Sequence, residues 1–150
     1  MNGRLDEEGD GRWTLRFTRH LAHPPGRVWR ALTDSEQLSA WFPQRVVGDL
    51  LTSGAGLRFE SPEGGHAGFD GQVIAVEPPR LLAIRWGTDV LRFEIVPNHD
   101  TCSLQLTDTF DELGKAARDA AGWDTCLDFL EWDLAGVEPE HPPLRRTGWL

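Results

Sequence analysis

A chain of 150 residues has room for one domain whose core buries roughly 70% of the unfolded surface. Apolar residues make up 39% and charged residues 26%, a globular balance that excludes disordered and fibrous classes. Lys and Arg number 15 against 24 Asp and Glu, and the resulting net charge of −9 argues against nucleic-acid binding and against membrane insertion.

Residues 1–11 are acidic and contain glycine, so they are expected to form a flexible N-terminal segment. Their lack of an apolar stretch argues against a secretory signal, and no later run approaches the roughly 18 apolar residues of a membrane span. The expected location is cytoplasmic. A single domain is expected over residues 12–137. It opens with Trp13, Leu15 and Phe17 alternating with polar residues, the period of a strand with one wet face. Pro25 suits the first position of a short helix with Val28, Trp29 and Leu32 on its apolar side. Thr33 with Glu36 reads as a capping box for a second short helix, which buries Leu38, Trp41 and Phe42 before Pro43 ends it.

The middle of the chain alternates in strand period. Leu57 and Phe59 come first, then a turn over residues 61–65, then a strand from Val73 to Val76. Leu82, Ile84 and Trp86 form the next series, followed by Leu91, Phe93 and Ile95, then Cys102, Leu104 and Leu106. Connections this short imply an antiparallel meander. Over residues 115–135 the period changes to helical, with Trp123, Leu127, Leu130 and Leu134 on one stripe and Gly136 as the stop. Residues 138–150, with two consecutive prolines and two consecutive arginines, read as an extended tail. The fold class is therefore α+β, a curved antiparallel sheet covered by its long C-terminal helix.

Most chemical motifs are missing. The glycine cluster from Gly64 to Gly71 lacks the strand–loop–helix setting of a phosphate loop and reads as a hairpin loop. His20, His23, His66, His99 and His141 show no metal-ligand spacing, so no metal and no cofactor are expected. No nucleophile elbow occurs, and Cys102 and Cys126 read as small buried core thiols, leaving no assigned catalytic residue. Asp108 continues the inward series of Cys102, Leu104 and Leu106. Either it points into the covered face and needs a partner or a raised pKa, or the strand stops at Thr107 and Asp108 sits in water.

Several matches occur in one order: residues 23–34, Trp41-Phe42, Gly71 with Val73, residues 76–81, Arg85-Trp86, residues 101–110, and the Gly122 to Gly136 stripe. Together they resemble the family named for activators of the heat-shock-protein-ninety ATPase, within the START-related SRPBCC superfamily. The resemblance implies a helix-grip (START/Bet v-like) fold enclosing an apolar pocket. It carries over no catalytic group. Related small members are expected to hold histidine where this chain has Asp108 and Asp124, so chemistry through those histidines is not implied. The co-chaperone role of the namesakes rests on further domain material.

The leading expectation is a non-catalytic binding protein for a small hydrophobic or aromatic molecule held between sheet and helix. Trp41, Trp86, Trp123 and Leu127 would wall the cavity, with Asp108 as the polar anchor for a donor group. One alternative is a chaperone-associated or regulatory module with a protein partner, which predicts a filled interior and an exposed apolar patch. A further alternative is a cyclase- or hydrolase-type enzyme, which predicts two or more convergent titratable groups.

Overall fold

The computed structural model describes residues 3–7, 11–60, 68–111 and 116–136. The 61–65 turn, His66, the helix start at Lys115 and the 138–150 tail with His141 lie outside those residues. The chain order is β1 (Arg4–Glu7), β2 (Trp13–Leu21), α1 (Pro25–Thr33), α2 (Ser35–Trp41), β3 (Arg45–Val47) and β4 (Gly56–Glu60). There follow β5 (Phe69–Glu77), β6 (Leu81–Trp86), β7 (Asp89–Asn98), β8 (Thr101–Phe110) and α3 (Ala116–Ala135). The eight strands form one curved antiparallel sheet in the order β1-β2-β8-β7-β6-β5-β4-β3. This is the helix-grip arrangement expected from the element order. No helix among the described residues is long and apolar enough to cross a membrane.

Two strands were not anticipated. Arg4–Glu7 pairs with β2 rather than fraying, with Arg4 opposite Arg16 and Glu7 opposite Trp13. Ladder hydrogen bonds hold this acidic strand where the composition alone suggested disorder. Val46 carries the three-residue β3, burying one side chain against β4.

The helix–helix corner also differs in its capping. Thr33 is the last residue of α1, and its hydroxyl donates to the Trp29 carbonyl at 2.8 Å. The cap of α2 is instead Asp34, whose Oδ1 accepts from the Glu36 and Gln37 amides at 3.0 and 3.3 Å. With α1 running one residue further than the capping-box reading allowed, Asp34 is the first residue with extended backbone, and its short carboxylate reaches the orphan donors.

α3 buries Trp123, Cys126, Leu127, Leu130 and Leu134 against the sheet. Arg19 stands at an inward position of β2 and meets Asp124 at 2.7 Å, Asp128 at 3.0 Å and Glu131, three acids on α3. Arg27 donates to the Leu134 carbonyl at 2.6 Å, satisfying a terminal acceptor of the same helix. These two arginines fix where α3 crosses the sheet, and so which residues lie beneath its first turns. Both cysteines are free and buried.

Candidate functional site

β6 and β7 are joined by a two-residue hairpin in which Trp86 pairs directly with Asp89. Gly87 takes φ 62°, the left-handed conformation such a turn needs and a side chain resists. The register then sets Leu91 opposite Asp108 on β8, and Asp108 opposite Leu15 on β2. The strand does not stop at Thr107. Asp108 is an inward residue in mid-sheet with 0% exposure, which decides the question its alternation left open.

Two further acids converge on it. Asp89 and Asp119 are each 2% exposed, and one oxygen from each of Asp89, Asp108 and Asp119 lies within 4.8 Å of the others. Asp89 comes from the start of β7, and Asp119 from the first turn of α3, near the positive end of the helix dipole. The Trp123 indole N–H, one turn along α3, donates to Asp108 Oδ2 at 3.0 Å. Burial and then the neighbouring charge of Asp89 push the Asp108 carboxyl from 3.8 up to about 8, against the opposing pull of the Trp123 N–H. Asp108 therefore carries a proton at neutral pH, and a hydrogen bond to Asp89 favours that form. An all-oxygen set of this kind suits hard cations rather than zinc.

Aromatic rings roof the carboxylates. Trp86 and Trp123 lie 5.2 Å apart between centroids, and Phe42 is 5.5 Å from Trp123 and 6.0 Å from Trp86. Trp41 sits one ring further out, 5.9 Å from Phe42, with its N–H bonded to the Ala31 carbonyl at 3.0 Å. On the opposite side Phe69 stacks on Phe59 and meets Trp86 edge-on at 6.0 Å. Trp86 is the rim of the cluster, 8% exposed, its N–H donating to Gln44 Oε1 at 2.9 Å.

Of the residues singled out from sequence, the structure brings Trp86, Trp123 and Asp108 into one constellation. Trp41 joins through Phe42, and Leu127 lies one turn beyond Trp123 in the same core. These rings touch one another beside the acids, with Trp123 as the link between the two groups. Asp89 and Asp119 were missed, although each left a signal. Asp89 falls on the inward period of Leu91, Phe93 and Ile95, and Asp119 lies four residues before Trp123 on the buried stripe.

The model of the family described as Activator of Hsp90 ATPase homolog 1-like protein matches residues 22–134. The chain belongs to this family. The match runs from the end of β2 through α3, so Asp89, Asp108, Asp119 and all five expected site residues lie within it. No curated protein matches the chain. Among solved structures, a conserved protein of unknown function, EF2215 from Enterococcus faecalis, is similar with a TM-score of 0.77 at 20% identity, over 95% of this chain and 81% of that one. BPP1335 from Bordetella parapertussis is similar with a TM-score of 0.69 at 28% identity, over 93% and 81%. DynU16, a protein from the dynemicin biosynthetic locus, is similar with a TM-score of 0.71 at 24% identity, over 83% of this chain and 48% of that one. An activator-homologue domain of this fold fits a ligand-binding or regulatory module.

Proposed function

We propose that this chain is a non-catalytic binding protein for a small molecule with an apolar or aromatic body and a hydrogen-bond donor, held where α3 crosses β7 and β8. The observation that carries this reading is a fully buried carboxyl, Asp108, held with two further buried acids and bonded to the Trp123 indole, whose ring packs on Trp86. A donor group on the ligand hydrogen-bonds to a carboxyl oxygen of the trio, which keeps its proton, while the rings sandwich the body. Entry is by the Trp86 rim. Parting Trp86 from Gln44 costs about 1 kcal/mol for the hydrogen bond. A bicyclic ligand burying about 200 Å² recovers about 5 kcal/mol, which exceeds that cost. A fold neighbour from a biosynthetic locus supports a small-molecule ligand.

The test is tryptophan fluorescence and thermal shift against a panel of aromatic amines, phenols and their donor-free counterparts. Saturable quenching by donor-bearing members, lost in Asp108→Asn, is the expected result. No response from any member sinks the reading.

The regulatory alternative draws on the packed ring cluster and on three exposed apolar side chains, Val47 at 43%, Leu51 at 54% and Ile74 at 48%. It predicts a protein partner that Val47→Asp releases. The enzyme alternative draws on the convergence of three carboxylates, and it predicts chemical turnover of whatever compound quenches Trp123.

A further inference from the structure

The outer face of the sheet carries a second constellation, unconnected with the interior. Register places Arg16 of β2 and Arg92 of β7 each directly opposite Thr107 of β8, so all three side chains leave the same face. Two strand spacings separate the arginine Cα atoms by about 10 Å, within reach for two guanidiniums to close on one small ion above the Thr107 hydroxyl. Arg4 continues the row on β1, directly opposite Arg16. Like charges facing each other across strands destabilise a sheet, yet a chain of net charge −9 sets three arginines in one cross-strand row. Arg16, Arg92, Glu94, Gln105 and Thr107 line a concavity of about 180 Å³.

Three other arginines of this face have acid partners, while Arg85 donates to the Asp70 and Gly87 carbonyls. Arg4 meets Asp6 at 3.1 Å, Arg58 meets Asp70 at 2.8 Å, and Arg92 meets Glu94 at 2.6 Å. Arg16 is exposed and meets no carboxylate among the described residues. Its fork, the Thr107 hydroxyl and the Gln105 amide are donors around a hollow with one surplus positive charge.

We infer that this concavity is an oxyanion site, taking a phosphate-type group between Arg16 and Arg92 over Thr107. Guanidinium forks match the paired oxygens of such a group, and Glu94 moderates affinity by competing for Arg92. The ligand is free phosphate or the phosphoryl end of a small monoester.

The test is amide NMR of the full chain at low salt, titrated with inorganic phosphate and separately with phenyl phosphate. Shifts at Arg16, Arg92 and Thr107 are expected, with affinity at least tenfold weaker in Arg16→Gln and partly kept in Arg16→Lys. Glu94→Gln is expected to bind several-fold tighter, since it frees Arg92. A tighter phenyl phosphate points to a monoester, and the reverse order to the free ion. All substitutions are on the exposed face, and unchanged spectra elsewhere check folding. Shifts absent from these three residues, Arg16→Gln binding like the parent, or weaker binding in Glu94→Gln overturns the assignment.

Discussion

Asp108→Asn is the sharpest test of the carboxylate trio. The folded chain holds the Asp108 proton up to about pH 8, whereas an ordinary aspartate releases it near 3.8. Between those values the native state binds one proton more than the unfolded state, so stability falls as pH rises. The contribution is fully present below about pH 4 and gone above about pH 8, with a slope of about 1.4 kcal/mol per pH unit between. From pH 5.5 to 7.5 the parent should therefore lose about 2.7 kcal/mol. Asparagine keeps the neutral shape, accepts from Trp123 and donates to Asp89, so the variant should lose none of this. Urea unfolding followed by tryptophan fluorescence at half-unit pH steps measures both slopes. Parallel slopes, or a variant less stable than the parent at pH 7.5, would refute the account of Asp108 as a protonated buried acid.

Trp123→Phe removes the N–H that opposes the upward shift of Asp108, so the falling limb should extend to higher pH, with about 1–3 kcal/mol lost at pH 7 in the same urea assay. Asp34→Ala deletes the cap of α2 and should cost about 1 kcal/mol, a Tm decrease of about 2–4 °C by calorimetry. Asp34→Ser should restore most of it. Gly71→Ala puts a methyl 2.1 Å from the Arg85 carbonyl and 2.4 Å from the Phe59 ring, so a loss of about 3 kcal/mol is expected in chemical unfolding. A neutral result there would mean that β5 and β6 approach less closely than described.

The fold was legible because its signals are periodic and mutually consistent. Alternation in β2, β6, β7 and β8 states which residues face inward, and the 3.6 period of α3 names the stripe that covers them. What escaped were elements whose reason lies elsewhere in the chain. β1 exists because β2 offers it a free ladder, and its own acidic residues carry no sign of that. The α2 cap was misread by one residue because Thr33 and Asp34 are both capping types, and the choice depends on where α1 stops. The site was half legible. Asp108, Trp86 and Trp123 follow from alternation and helical spacing, but an aspartate at Asp89 beside Gly87-Thr88 looks like turn chemistry, and Asp119 looks like an ordinary helix-start acid. Only the register of β7 on β8 and the latch of Arg19 on α3 bring those two to Asp108.

The trio is costly for a core. Burying several carboxylates is seldom repaid by their mutual contacts, and apolar residues of the same size commonly stabilise such positions by a few kcal/mol. Leu91 and Leu15 flank Asp108 on both neighbouring strands and show what packing alone would place there. Retaining acids at three positions from three separate elements is therefore better explained by something they bind than by the stability of the sheet. Asp108→Asn separates these terms, because it relieves the burial penalty while removing the site for a donor. A more stable variant that no longer binds a donor-bearing aromatic is the expected pairing of results. A more stable variant that binds it equally well would leave Asp108 with no part in recognition, and the anchor would have to be sought at Asp89 or Asp119.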